Sequence, residues 1–383
     1  MSEQWPTVKV GEVLRIDLDR YLIDAAATYP MVGVLSFGRG LFDREPIEHG
    51  NTSYRFFYRL RAEHVVMSQL FGWEGALALS SEKFAGKFLS PQFPTFLCDE
   101  KKLNRGFLGW LMRCQAFWED LGSRTSGMGD RRRTLNPEAL FKCDIPLPSL
   151  AEQRRIVTRI DELAAYIDEA RSLRTQVADE AEALCRAIIY EDGATSLTPM
   201  SELVRLRSPD VIVELTETYQ FAGVYSFGRG VFRAQAKSGM EFAYPKLSRL
   251  KAGNFVYPKL MAWEGALGIV PPGCDGCVVS TEFPVFEVLE DRILPEVLDT
   301  YFRMPTVWPL LSGASTGTNV RRRRLNPQDF LKYKIPLPSR SAQEQLRKVR
   351  AEVHALRRLQ AESSVELDAL LPAALDRAFN GGI

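Results

Sequence analysis

The five residues Ser36-Phe37-Gly38-Arg39-Gly40 return as Ser226-Phe227-Gly228-Arg229-Gly230, a displacement of 190 positions (226 − 36). The same displacement carries Trp73-Glu74-Gly75-Ala76-Leu77 onto Trp263-Glu264-Gly265-Ala266-Leu267 and Phe93-Pro94-Thr95-Phe96 onto Phe283-Pro284-Val285-Phe286. It also carries Ile145-Pro146-Leu147-Pro148-Ser149 onto Ile335-Pro336-Leu337-Pro338-Ser339. A gap-free register from about Glu12/Glu202 to Ser149/Ser339 is too long for a solenoid repeat and means two copies of one folded unit. Two like modules joined by rigid spacers suit a ligand with two like sites at a fixed distance, and long DNA is such a ligand.

After each copy the sequence changes character. From Ser149 to Glu191 there is no Gly or Pro, and apolar residues recur in steps of three and four: Ile156, Ile160, Leu163, Ile167, Ala170, then Val177, Ala181, Leu184 and Ile188, with Arg174 breaking the seam. That is a heptad pattern, and Ser149 followed by Glu152 suits a capping box at its start. The C-terminal segment repeats the seam with Leu346, Val349, Val353, Leu356, Leu367, Leu370 and Ala374, weakened in the middle by Gln360 and Ser363. Pro372 marks a kink in its last turns. Helices of roughly 40 residues reach about 60 Å. The expectation is a mixed α/β (α+β) chain with globular domains at 1–149 and 197–339 and long helices at 150–196 and 340–383. The helices pair as an antiparallel coiled coil about a pseudo-twofold axis. The opening Trp5–Val13 then meets the end of the second helix, as Leu197–Leu203 meets the end of the first. Within the domains, Val32–Leu35, Ala76–Leu79, Phe255–Tyr257 and Pro284–Val288 read as strands. Leu108–Leu121 and Val297–Leu311 read as short helices, the second interrupted by Pro305 and Pro309.

The bulk properties of the 383 residues, 45% hydrophobic, 25% charged and net +1, are those of a globular protein. No basic start leads into an apolar stretch, and no apolar run approaches the ~20 residues of a membrane span, so a cytosolic protein is expected. The six cysteines then stay reduced. Cys274-Asp275-Gly276-Cys277 has the spacing of half a zinc knuckle, but Phe84-Ala85-Gly86-Lys87 fills the same place in the first copy. A hairpin turn at the shared glycine is the better reading, and no metal or cofactor is expected in the chain.

Catalytic signals are sparse. None of the three histidines, His49, His64 and His354, is repeated; His354 falls on the polar side of a helix, and the others read as surface or turn residues. The best repeated acids, Glu74 and Glu264, stand between Trp and Gly-Ala and suit tying down a turn better than acting as a base. Asp210 with Glu214 lacks the lysine of a nuclease cluster. Trp73 and Trp263 read as core.

Binding signals are stronger. Arg131-Arg132-Arg133 and Arg321-Arg322-Arg323-Arg324 occupy equivalent places, each after a Gly/Ser/Thr-rich stretch and before Leu-Asn-Pro. Arginine forks suit phosphates and guanine edges, and small residues let a backbone approach closely. Arg39 and Arg229, in tight glycine loops after a strand, either read bases or brace the loop. Lys259, opposite Gln69, and Arg233, opposite Asp43, differ between the copies, which is where two modules would read different sequences.

Arg131–Pro137, leading to Ile145-Pro146-Leu147-Pro148-Ser149-Leu150-Ala151-Glu152-Gln153-Arg154-Arg155-Ile156-Val157, resembles the specificity subunit of Type I restriction–modification systems. So do the second copy, with Gln343-Glu344-Gln345 two residues later than expected, the ending Leu370–Gly381 and the opening Trp5–Val13. The resemblance covers nearly the whole chain. It implies two target-recognition domains, each reading one half of a bipartite site in double-stranded DNA, with the helices as ruler, and no catalysis by this chain. Two methyltransferase subunits then dock on it and modify adenines with S-adenosylmethionine, and restriction subunits join them for cleavage that needs ATP and Mg. The two copies are unusually alike, which suggests similar half-sites. Two other readings compete: a tandem nuclease or hydrolase using Glu74 and Glu264, and a coiled-coil adaptor that does not bind DNA.

Overall fold

A computed structural model describes residues 5–24, 27–48, 51–124, 134–190, 197–313 and 324–379. The first copy carries helices α1 (Arg105–Leu111), α2 (Gln115–Ser123) and α3 (Pro137–Phe141), then the long helix α4 (Leu150–Tyr190). The second carries α5 (Pro295–Phe302), α6 (Trp308–Gly313) and α7 (Pro327–Lys332), then α8 (Arg340–Glu362) and α9 (Ser364–Phe379). The chain divides into two compact units, Met1–Ser172 with Ser363–Ile383, and Leu173–Glu362.

In the first unit, strands Leu14–Ile16, Thr95–Cys98, Val65–Met67 and Leu77–Leu79 form one sheet in that order. A second sheet runs Arg20–Leu22, Phe56–Arg59, Phe88–Leu89, Thr28–Val34, Leu41–Glu48, with one parallel contact, Met31 to Phe88. Alternation along a strand explains how one sheet serves two cores. Val65 and Met67 point to the helical core of Phe107, Leu111, Leu140 and Ile145, while Val66 points to Val32, Tyr58, Leu60 and Leu89 of the other sheet. Thr7–Lys9 pairs with Asp144–Pro146 and closes the domain at the Ile-Pro-Leu-Pro boundary.

The second unit repeats this strand for strand. Its parallel contact is Phe221 to Val278, each 190 on from its counterpart. Phe255 and Phe286 face one core and Val256 and Val285 the other.

Two of the short-helix readings change. Leu108–Leu121 is not one helix: α1 ends before Met112, and Cys114 caps α2. In the second copy the break lies at 303–307, and Pro309 belongs to the first turn of α6, where a missing N–H costs nothing.

The spacer helix α4 starts at the expected place, with the Ser149 hydroxyl accepting from the Glu152 N–H at 3.3 Å. The Glu152 carboxylate, however, accepts from Arg155 at 2.6 and 2.8 Å instead of from the Ser149 N–H, so only the serine half of the capping box forms. Its buried stripe differs from the heptad seam. Ile156, Ile160 and Ile167 are buried, but further along the stripe passes through half-buried Arg174 and Ala178 to Cys185, Ile188 and Ile189. Val177 and Leu184 are left 41% and 50% exposed. A straight helix of 3.6 residues per turn drifts from a 3.5-residue repeat by about 20° per heptad, which moves the stripe off those two positions. Arg174 fits on the stripe because its guanidinium donates to the Gln360 carbonyl at 3.4 Å.

The C-terminal segment is two helices, interrupted at Ser363 rather than at Pro372, which α9 contains. Serine competes for backbone hydrogen bonds and favours caps, and no apolar residue holds the seam there.

Each unit has its own antiparallel helix pair. In the first, α4 and α9 meet around Ile160, Leu163, Leu370 and Ala374, and Arg171 pairs with Asp368 at 2.7 Å. In the second, Glu182 of α4 meets Arg357 at 2.8 Å and Arg350 at 3.6 Å on α8. Leu375 and Ala378 share the first unit's core with Val10 and Val13, and Cys185, Ile188 and Ile189 share the second unit's with Met200 and Leu203. Both contacts between helix ends and N-terminal segments therefore form as expected. Among the described residues, no helix is long and apolar enough to cross a membrane.

Candidate functional site

The repeated Ser-Phe-Gly-Arg-Gly segment turns the chain between the two longest strands of its sheet, in each copy. Phe37 (φ 64) and Phe227 (φ 63) are the only described residues other than glycine with positive φ. A bulky residue in the left-handed region costs roughly 1–2 kcal/mol. The surroundings impose that geometry. Phe37 N–H donates to the Glu74 carbonyl at 2.8 Å, and Gly38 N–H to that of Gly75 at 2.9 Å. In the second copy Phe227 and Gly228 do the same to Glu264 and Gly265, at 2.8 and 3.0 Å. A Cβ on Gly38 would lie 2.8 Å from the Arg113 Cα, so the backbone approach requires glycine.

Glu74 and Glu264 sit under these loops. Their carboxylates accept from Ser36 and Ser226 hydroxyls at 3.2 and 3.3 Å. The turn that carries each one ends in Gly75 (φ 74) or Gly265 (φ 76), covered by the indole of Trp118 or Trp308. The acids tie down a turn, as the sequence suggested. Trp73 and Trp263 are half-buried, each indole N–H donating to the carbonyl of Leu70 or Leu260.

Arg39 and Arg229 are exposed, each with its Nε–H on the carbonyl of Ser36 or Ser226 at 3.0 or 3.2 Å. They both brace the loop and present charge at its tip. Arg39 lies 5.7 Å from the Phe37 ring centroid; Arg229 lies 4.7 Å over Tyr225, which itself stacks on Phe232 at 3.9 Å. The first copy has Leu35 in place of Tyr225, so this stack belongs to the second domain alone. Arg233 lines an open hollow beside it with Phe221, Tyr225, Phe232 and Lys237.

Arg131, Arg132, Arg133, Arg321, Arg322 and Arg323 lie outside the described residues. The point where each arginine run rejoins the fold is described: Leu135 N–H binds the Gln69 carbonyl and Leu325 N–H that of Lys259, at 2.8 and 2.9 Å. Lys259 donates to the Thr281 carbonyl at 2.9 Å and faces Glu282 at 3.9 Å, and Arg324 pairs with the same carboxylate. The structure therefore brings Lys259 and Arg324 together, on an acid absent from the sequence reading.

The helix residues serve two purposes. Ile156 and Ile160 belong to the first domain's own core and Leu346 to the second's, with Val349 packed beside it, so they fasten the helices to the domains. Ile167 and Val353 are buried and Leu163 and Leu367 half-buried, while Leu184, Leu356 and Leu370 are 50%, 38% and 48% exposed.

The main omission from the sequence reading is a pair of buried glutamines, Gln153 and Gln343, in the first turns of α4 and α8. Gln153 accepts from the Asn104 N–H at 2.7 Å and donates to the carbonyls of Lys102 and Pro148 at 2.9 and 2.8 Å. Gln343 accepts from Leu294 N–H at 2.8 Å and donates to the Pro338 carbonyl at 3.0 Å. Gln343 stands 190 positions after Gln153 (343 − 153), the displacement of the repeat, so it is in register and does not follow two extra residues as expected above; that register was the available signal.

His64 overturns the surface reading. It is fully buried, its Nδ1 accepts from the Arg61 N–H at 3.1 Å, and its Nε2 lies 2.9 Å from Asp17. Burial, reinforced by the Arg61 charge, lowers its pKa to about 4, so it is neutral at pH 7. His49 lies outside the described residues. Burial pushes the thiols of Cys114 and Cys143 up to about 12, so neither is a nucleophilic thiolate at pH 7. Cys274 and Cys277 are buried beside a turn at Gly276 (φ 76), closed by Cys277 N–H to the Cys274 carbonyl. Asp210 pairs with Arg207 and accepts from Arg249 N–H. Among the described residues, no three His, Cys, Asp or Glu side chains converge on a metal position.

No protein-family model and no curated protein matches the sequence. Solved structures match along its whole length. The HsdS subunit from Thermoanaerobacter tengcongensis is 21% identical, with TM-score 0.56 over 100% of this chain and 98% of that one. A chain from a structure that addresses complex assembly and conformational transition of the type I R-M system is 20% identical, with TM-score 0.68 over 100% and 99%. Two mixed domains on helical spacers, seen first as a 190-residue displacement, give this chain the fold of the specificity subunits of Type I restriction–modification systems.

Proposed function

We propose that the chain is a DNA-recognition subunit that has no catalytic activity of its own and directs adenine methylation, and in a larger assembly restriction, by partner subunits. The observation that carries this reading is the end-to-end fold likeness to an HsdS subunit in a chain that is itself a duplication. Each copy reads one half of a split site: the arginine runs at Arg131–Arg133 and Arg321–Arg324 hold the backbone, and the loops around Arg39, Arg229 and Lys259 approach the bases. The difference between Leu35 and Tyr225 gives similar domains different preferences. Helix α4, about 60 Å long at 1.5 Å per residue, exceeds one DNA turn of ~34–36 Å, which supports half-sites separated by unread base pairs.

Exposed Leu173, Val177, Leu184, Leu356 and Leu359 on α4 and α8 provide apolar surface for two methyltransferase subunits. S-adenosylmethionine, ATP and Mg then belong to those partners and to restriction subunits, and the complex works in the cytoplasm. The turn-anchoring contacts of Glu74 and Glu264 disfavour the tandem-hydrolase reading.

The test is co-expression with a Type I methyltransferase subunit that assembles with the chain, followed by genome-wide mapping of methylated adenines. A split motif with a constant gap is expected. An assembled complex that adds no methylation would overturn the proposal.

A further inference from the structure

Phe37 and Phe227 are placed as a packing role alone would not place them. Each holds a left-handed backbone conformation that glycine would adopt without strain. Yet the residues are 53% and 64% exposed, their rings touching Trp118 or Trp308 on one side at centroid distances of 5.7 and 6.1 Å. Core burial therefore does not account for an aromatic residue here. Two backbone hydrogen bonds and a serine–glutamate contact hold each loop, so the backbone fixes where the ring stands. An exposed arginine follows two residues later in both copies.

We infer that Phe37 and Phe227 are wedges that insert into a base step of duplex DNA, one in each half-site, while Arg39 and Arg229 meet the adjacent phosphates. The inference rests on the DNA-recognition reading above. A flat apolar ring beside a guanidinium, on a rigid tip, matches a base step, which offers π-faces and a phosphate within one nucleotide. A ligand that presents this pair twice fits a chain that carries the wedge twice. Rigid mounting matters because a flexible ring would lose to ordering what it gains from stacking. In the second domain Arg229 rests on Tyr225 rather than on the wedge ring, which leaves the Phe227 face open to a base.

The test uses the full chain and duplexes carrying the site found by methylation mapping, with 2-aminopurine placed at successive positions to report unstacking. Phe37→Gly and Phe227→Gly remove the ring and suit the loop's φ; Phe37→Trp and Phe227→Trp keep an aromatic wedge. Wild type should unstack one step in each half-site. Each glycine variant should lose the signal in one half-site and bind about tenfold more weakly, and each tryptophan variant should retain both. An unstacking signal unchanged in the glycine variants overturns the wedge, whatever happens to affinity, while leaving DNA recognition standing. Wild type with no preference for the mapped site over an unrelated duplex overturns the recognition reading and the wedge with it.

Discussion

Replacing Gln153 by methionine keeps the length of the side chain and deletes its amide. Three hydrogen bonds disappear: Asn104 N–H to Oε1 at 2.7 Å, and Nε2–H to the carbonyls of Lys102 and Pro148 at 2.9 and 2.8 Å. The side chain is fully buried, so water does not replace it. An orphaned buried N–H costs about 2 kcal/mol, and each carbonyl, with a second lone pair, about 0.5–1 kcal/mol. No longer burying an amide returns about 1 kcal/mol. The net is about 2–3 kcal/mol against the attachment of α4 to its domain. At 1.4 kcal/mol per factor of ten, local opening should rise about 30- to 150-fold. Hydrogen exchange reads this directly: amides of α1 and of the first turns of α4 should lose that much protection, while those of α5 and α8, clamped by Gln343, stay unchanged. A loss below about threefold, or an equal loss in both units, would refute the claim that this amide fastens the spacer helix.

Other perturbations separate further parts of the account. His64 has a folded pKa of about 4 against 6.5 unfolded, so folding is disfavoured as pH falls below 6.5 and fully so below 4. His64→Asn, which copies Asn254 of the second domain, should flatten the difference in acid stability by at most about 3 kcal/mol in denaturation series from pH 7 to 4; identical pH profiles would refute this. Glu264→Ala should loosen the Phe227 loop in hydrogen exchange and weaken discrimination at one half-site about five- to tenfold, the order expected for one lost hydrogen bond of about 1–1.4 kcal/mol. Loss of a metal-dependent cleavage activity of the isolated chain would instead restore Glu264 as a catalytic acid.

The duplication was fully legible, because identical short segments at one displacement can only come from one fold used twice. The start of α4 was legible for a local reason: a serine cap followed by apolar residues at helical spacing. Its far end was not, since a heptad template extrapolated over forty residues accumulates angular error, and Cys185 rather than Leu184 meets the core. The break at Ser363 was visible only as a weak seam around Gln360 and Ser363. Gln153, Gln343 and His64 are polar residues whose burial depends on partners distant in sequence, such as Asn104, Leu294 and Asp17. Composition does not reveal such partners. The repeated glycines announced a tight loop, but the left-handed phenylalanines inside it became visible only from the backbone angles.

The central claim is that each copy reads its own half of a split DNA site. It is tested most directly by replacing residues 12–149 with residues 202–339, so that both positions carry the second domain, and mapping adenine methylation by the complex with its methyltransferase. The account predicts a split motif whose two halves become the same half-site in opposite orientation, with the gap retained. An unchanged motif from the assembled complex would contradict it.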